Sequence, residues 1–380
     1  MIKNETKNIN FLQKCFKEYY FNKFKHLESP LDISRREFGF MSFDSKMTRH
    51  ISFINMGQLN AFLIQNVPAG IYISNSYYDF PTFPINEKRL IGSDLIFDID
   101  LKDLNLPCQK DHTYYICKYC DNISNNLPSS CSVCKSTKID STIIPCGICI
   151  RNLKNETKKL ISFLVTDFGI NHKSIYVYFS GNNGFHITAL EKDYFNLDSK
   201  GRTDLVEYLM GKNFSVTSLG VTQYKNNLKV KIPISGLSYG WRKRISKNMK
   251  LFNITNNSLQ KYVNRVGGYL LFKKEVENIT GKMGVKIDPY VTMDIHRIFR
   301  MPGSINSKSG LSKVKCNNLD SFDPFSDACL FEDDRNVDVD VKTRLEFRFK
   351  RKKYILDKCS TTVPSSVGIY LVLKNLANLI

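Results

Sequence analysis

The stretch Leu95-Ile96-Phe97-Asp98-Ile99-Asp100 constrains this chain more than any other. Apolar residues fill its positions up to Phe97, and two carboxylates then follow two residues apart. In a β-strand, residues i and i+2 point to the same face, about 6–7 Å apart. Asp98 and Asp100 would therefore project side by side, with Ile99 turned into the core behind them. Two like charges so placed repel unless something cationic sits between them. Hard oxygen donors of this kind suit Mg²⁺ or Mn²⁺. A strand end with two solvated aspartates is the plainer reading of a bare Asp-x-Asp.

Composition narrows the partners. A chain of 380 residues with 42% hydrophobic content is globular and long enough for more than one structural unit. Lys and Arg number 55 against 36 acidic residues, a formal net charge of +19. That excess favours a polyanion, with nucleic acid as the leading class. No run of 18 apolar residues occurs, so a membrane span is not expected. The start, Met1-Ile2-Lys3-Asn4-Glu5-Thr6, has no apolar signal region. Eleven cysteines without such a signal point to metal ligation rather than disulfides, and to an intracellular, cytoplasmic protein.

Along the chain, Phe11, Leu12, Phe16, Tyr19, Tyr20, Phe21 and Phe24 have helical spacing. Short strands are expected near Phe38, at 51–53 and at 71–74, ahead of the aspartate strand. From Asp103 to Cys149 the chain turns polar and holds seven of the eleven cysteines, as an inserted metal module would. A helix begins near Arg151. The strand Ile175–Phe179, the turn Ser180-Gly181-Asn182-Asn183-Gly184 and the strand Phe185–Ala189 form a hairpin. Residues 196–286 read as a smaller helical subdomain that includes Trp241. A basic strand-like run covers Leu345 to Lys353, and a terminal helix is expected from about Ser365 to Leu379.

Two C-x₂-C knuckles, Cys117/Cys120 and Cys131/Cys134, are separated by ten residues. Paired thiolates at that spacing complete a tetrahedral zinc ribbon. Cys108, His112, Cys146 and Cys149 remain beside it. A single zinc on Cys108, His112, Cys117 and Cys120 is the competing arrangement. Either site would be closed by four protein ligands and therefore structural.

Firm binding of two cations on the aspartate pair needs a third acid, for which Asp288 and Asp294 are candidates. Around it Arg36, Ser180, His186, Arg297, Arg300 and Lys308 could meet a triphosphate, and the glycine turn could bring backbone N–H groups to phosphate oxygens. Taken singly, a histidine on a strand is more often structural, and an arginine pair such as Arg35-Arg36 is usually a solvated face.

In order, the chain carries Arg36-Glu37-Phe38-Gly39-Phe40, Asp98-Ile99-Asp100, Ser180-Gly181-Asn182-Asn183-Gly184-Phe185-His186, Asp288-Pro289-Tyr290-Val291-Thr292 and Pro302-Gly303-Ser304. Together these resemble the small catalytic subunit of archaeal and eukaryotic replicative primases, with the likeness running through the chain. The tail segments Phe322–Ala328 and Val363–Gly368 look like the archaeal version. The resemblance implies an α+β fold: a mixed β-sheet catalytic core of the archaeo-eukaryotic primase type, an inserted zinc module and a small helical subdomain. The core would comprise 1–102, 151–195 and 287–380, with the zinc insertion at 103–150 and the helical part at 196–286.

It further implies synthesis of short primers on single-stranded DNA from nucleoside triphosphates, beside a large regulatory subunit. Asp98, Asp100 and Asp288 fall on the family's metal-binding acids, whereas Asp294 matches none. Arg36, Ser180, His186, Arg300 and Lys308 fall on positions around the nucleotide or the catalytic centre. The chain departs from the family at Asn183, where a basic residue is usual, and at Asn306, where a histidine is usual; Arg297 could compensate. The archaeal members carry a Cys/His knuckle between the aspartate strand and the next helix. That placement implies one zinc on Cys108, His112, Cys146 and Cys149, and a second on the ribbon Cys117, Cys120, Cys131 and Cys134. A primase-polymerase of plasmid, repair or translesion type is the nearest alternative enzyme. A non-catalytic nucleic-acid-binding paralogue is the alternative outside catalysis, and the intact aspartate trio argues against it.

Overall fold

The alternation in Leu95–Asp100 settles where the core lies. Leu95, Phe97 and Ile99 are buried in the largest apolar cluster, and Ile96 packs on the opposite face with Val291 and Phe299. In the computed structural model, which describes residues 2–224, 227–230, 239–249 and 256–380, this strand is the edge of a four-stranded sheet. Its neighbours in order are Gly184–Ala189, Ile175–Phe179 and Val314–Lys315. A second four-stranded sheet runs Ile298–Arg300, Gly70–Ser74, Phe38–Met41 and Met47–Ile51. The expected strand at 51–53 thus stops at Ile51. Every strand pair in these two sheets is antiparallel, so neither is a mixed sheet as the resemblance implied.

Each sheet has its own helices. Gly147–Thr166 buries Leu153, Leu160, Phe163 and Leu164 against the aspartate-bearing sheet. Ile2–Asn22 and Met56–Asn66 cover the other sheet with Phe16, Tyr19, Tyr20, Leu59 and Leu63. Between the sheets lies a cleft, in which the His186 and Phe299 rings meet edge to face at 5.8 Å. Residues 199–283 are mostly helical where described, with a small hairpin of Val221–Tyr224 and Asn227–Val230.

The cysteine-rich insertion forms a three-stranded sheet of Ile123–Ser124, Thr113–Cys117 and Ile139–Ile143. The basic run near 345 is two strands, Leu345–Phe349 and Lys352–Leu356. The terminal helix is shorter than its sequence indicates. It ends at Leu373, because Asn375 takes a left-handed conformation (φ 58°) and Ala377–Leu379 turns back to pair with Asn336–Val341. Among the described residues no helix is long and apolar enough to cross a membrane.

Candidate active site and thiol clusters

An edge strand presents unpaired backbone groups that must be covered. The short helix Pro289–Met293 covers this one: Asp288 N donates to Asp98 O at 3.0 Å, and Thr292 Oγ1 donates to Ile96 O at 2.7 Å. The same contact delivers the Asp288 carboxylate, which caps that helix through Tyr290 N at 3.1 Å. Asp100 ends the strand by capping Leu101–Leu104 through Lys102 N. Strand register sets the next partners. His186 lies opposite Asp98 and Gly184 opposite Asp100, so the glycine turn sits directly beside the carboxylates. A side chain at Gly184 would collide with the Ile99 carbonyl, which explains the glycine.

The electrostatics of this cluster are unresolved within the protein. Burial, then repulsion from Asp100 and Asp288, pushes the Asp98 carboxyl up to about 7. Burial also raises Asp100, while Lys102, Lys308 and Lys374 oppose the shift. His186 Nε2 lies 3.6 Å from Asp98 Oδ1, and Arg297 lies 4.0 Å from Asp288. Burial and the charges of Lys313, Arg300 and Arg297 hold the imidazole well below its usual range, so it is neutral. Its Nδ1 and the Asn183 Oδ1 are buried without a hydrogen-bond partner. Three crowded carboxylates of which one resists ionisation form a donor set that a divalent cation fits, since the cation removes the repulsion. The carboxylates are not gathered within 4.8 Å of one another as the thiols are.

Other candidates line the same cleft. Arg300 donates to Ile305 O (2.7 Å) and to the Tyr72 hydroxyl (2.9 Å). The loop after it packs on the glycine turn, with Asn306 Nδ2 donating to Ser180 O and Ser309 Oγ donating to Gly181 O. Lys308 N is held by Asn306 Oδ1. Arg36 stands at the other end of the cleft beside a cavity of ≈ 190 Å³. Its guanidinium is engaged by Leu31 O, Ser74 O and Asp94, and lies 3.4 Å from the Tyr77 ring centroid. Asp294 caps His296 N. Lys313 escaped the sequence reading. It is buried in the cleft, donates to Arg300 O at 2.9 Å, and burial lowers its amine to about 7. Among 55 basic residues only burial distinguishes it, and no spacing signals that.

The insertion holds two thiol clusters. Cys117, Cys120, Cys131 and Cys134 come together, as do Cys108, Cys146 and Cys149. Sulfur separations of 3.4 Å in the first and 3.5–3.9 Å in the second approach the ~3.8 Å that tetrahedral bonds of about 2.3 Å to zinc require. Backbone N–H groups of Cys134 and Val133 bring the Cys131 thiol down to about 6, which favours the thiolate a metal needs. His112 does not join the second cluster, contrary to the expected four-ligand set. Pro107–His112 is a 3₁₀ helix, so residues four apart point about 120° from each other rather than along one face. The competing set of Cys108, His112, Cys117 and Cys120 is not assembled either: Cys108 lies in one cluster, Cys117 and Cys120 in the other, and His112 in neither.

Comparison with known proteins decides the family. The family model of the DNA primase small subunit matches residues 140–316. The DNA primase small subunit of Nitrosopumilus maritimus is 43% identical, across 99% of this chain and 100% of its own length. This chain belongs to the DNA primase small-subunit family. The Cenarchaeum symbiosum member is 36% identical over 98% of this chain and 99% of its own, and the Thermoplasma volcanium member 30% identical over 95% of each. A solved polymerase domain of Mycobacterium tuberculosis ligase D in complex with DNA covers 81% of this chain and 83% of its own, at a TM-score of 0.38 and 10% identity.

Proposed function

We propose that the chain is the catalytic subunit of a primase that makes short primers on single-stranded DNA from nucleoside triphosphates, in complex with a large regulatory subunit. The observation that carries the reading is the meeting of three acids from distant segments beside the glycine turn. Asp98 and Asp100 from the edge strand, with Asp288 from the covering helix, would hold Mg²⁺ or Mn²⁺. Such ions, when bound, activate an attacking hydroxyl and steady a leaving phosphate. The chain's own work is then to orient the nucleotide. Ser180, the turn's N–H groups, Arg300 and Lys308 face its phosphates, and neutral His186 donates or accepts without adding charge beside Asp98. Arg36 shapes the far wall. The two thiol clusters are structural zinc sites. The ribbon holds four cysteine ligands, and the base site has Cys108, Cys146 and Cys149, with the fourth position the one expected of His112. The parts of the core lie at 1–102, 151–195 and 287–380 around this insertion.

The test is unprimed synthesis on single-stranded DNA with labelled nucleotides, by the chain alone and with its large subunit. Products begun without any existing 3′ end are expected. Extension of supplied primers with no unprimed product in either condition would instead assign it to primer extension alone.

A further inference from the structure

The helix Ser365–Leu373 ends on a lysine whose charge reaches Asp100 but whose hydrogen bonds go elsewhere. Lys374 is buried, with 3% of its surface exposed. Its Nζ donates to Asn182 Oδ1 at 2.7 Å and to Ile143 O at 3.0 Å. Both acceptors are neutral, and the Asp100 charge offsets only part of the cost of burial. Burying an amine against neutral oxygens is costly, and an apolar side chain would stabilise such a position at least as well. The bonds therefore fix geometry, and the two elements they join are informative. Ile143 ends the insertion's last strand, three residues before Cys146. Asn182 is the crown of the glycine turn.

The rest of that turn is anchored from the cleft side. Asn306 and Ser309 hold the carbonyls of Ser180 and Gly181, and Leu101 N donates to Asn183 O at 3.0 Å. Lys374 holds the Asn182 side chain and ties it to Ile143 O, near the base of the Cys108/Cys146/Cys149 cluster. Asn183, the next residue, is adjacent to Asp100 through the strand register. A shift of Asn182 would therefore move the turn's N–H groups relative to the carboxylates. Misplacement of about 1 Å in a positioning element is enough to cost rate or affinity.

We propose that Lys374 is a positioning residue for the nucleotide site, bracing the Ser180–Gly184 turn against the base of the cysteine-rich insertion. This rests on the reading that the turn contacts the nucleotide's phosphates. The experiment is extension of a primed single-stranded template by the full chain, with nucleotide concentration varied at saturating template. Lys374→Met and Asn182→Ala should each raise the nucleotide KM about tenfold, roughly 1.4 kcal/mol, with a smaller change in kcat. The double variant should be no worse than either single, because both remove the same bond. Lys374→Arg should recover part of the affinity. If Lys374→Met does not fold, Asn182→Ala decides alone, since Asn182 is only half-buried. Unchanged KM in both variants, while Ser180→Ala raises it, would overturn the brace and leave the turn's role intact. Unchanged KM in all three would overturn the phosphate-binding role of the turn and the brace with it.

Discussion

Glu37 and Asp98 lie on facing sheets, yet their environments push them in opposite directions. Glu37 is fully enclosed and fully answered. Arg49 donates to it at 2.8 and 3.1 Å, His50 N at 3.2 Å, and Lys88 Nζ lies 3.4 Å away. Burial pushes its carboxyl up, but Arg49 and Lys88 outweigh burial and hold it below the usual range. Asp98 has the burial and the repulsion, which Lys102 and Arg297 only partly offset, and rises to about 7. A charge network that the protein has satisfied is finished structure. One left unsatisfied is a site waiting for a ligand.

The comparison breaks first at the carboxylates. Asp98→Asn, Asp100→Asn and Asp288→Asn are each expected to reduce nucleotide addition to background, a loss of about 10³-fold or more, some 4 kcal/mol. Thermal stability should hold or rise, because each change removes repulsion. Asp294→Asn should be mild, since that carboxylate only caps His296 N. Near-normal synthesis by the Asp100 variant in Mg²⁺ or Mn²⁺ would sink the metal reading.

Glu37→Gln should do the reverse. Removing one partner of a buried ion network costs about 3 kcal/mol, at the low end for such pairs because Arg49 is partly open to water. Denaturant midpoints should fall while kcat per folded molecule stays the same. The sign with pH follows from the depressed carboxyl. Glu37 stabilises the fold above its ordinary value of 4.5, and that contribution is lost as pH falls through the lower folded value. The Gln variant should therefore lose less stability on acidification. An equal acid sensitivity in both proteins would mean that Glu37 is not the group responsible.

The thiol clusters are a third case, in which four thiols are assembled in one and three in the other. Replacing Cys131 and Cys134 with serine should lower zinc from two per chain to one and loosen the ribbon. Nucleotide addition should fall only a few-fold, because the ribbon's ion pair with the tail, Asp121–Lys342, engages none of the candidate site residues. One zinc in the unsubstituted chain, unaffected by the double change, would rule out the nested pair.

How much of this was legible in the chain depended on how local each signal was. The Asp98/Asp100 pair, the glycine hairpin and the C-x₂-C knuckles are written in spacings of two to five residues, and each appears where those spacings place it. Joining Asp288 to the pair by spacing alone was not possible, because its contact comes from a helix covering a sheet edge nearly two hundred residues away. Asp294 offered the same chemistry six residues on. His112 was expected from the Cys/His knuckle of the resembling family, and the 3₁₀ turn of Pro107–His112 points it away from Cys108. Lys313 and Lys374 were invisible among the basic residues, since burial by distant segments is not a sequence pattern.

The last change sharpens the comparison most finely, because it adds a charge to the unsatisfied side rather than removing one. Asn183 stands where the resemblance to the primases leads one to expect a basic residue. Its backbone carbonyl is committed to Leu101 N, but its side-chain Oδ1 is buried without a partner, one strand register from Asp100. In Asn183→Arg, a guanidinium at this point of the turn would add a charge-assisted contact to phosphate, worth about 1.5–3 kcal/mol when aligned. Some of that is offset by displacing a half-buried amide, so the low end applies and nucleotide KM should fall about tenfold. In the absence of nucleotide the same guanidinium would sit near Asp100 and relieve part of the repulsion there. Stability should then rise slightly rather than fall. A lower KM with equal or higher stability is the expected pair of results. An unchanged or raised KM would mean that Asn183 does not face the triphosphate, and that the turn presents its backbone there instead of this side chain.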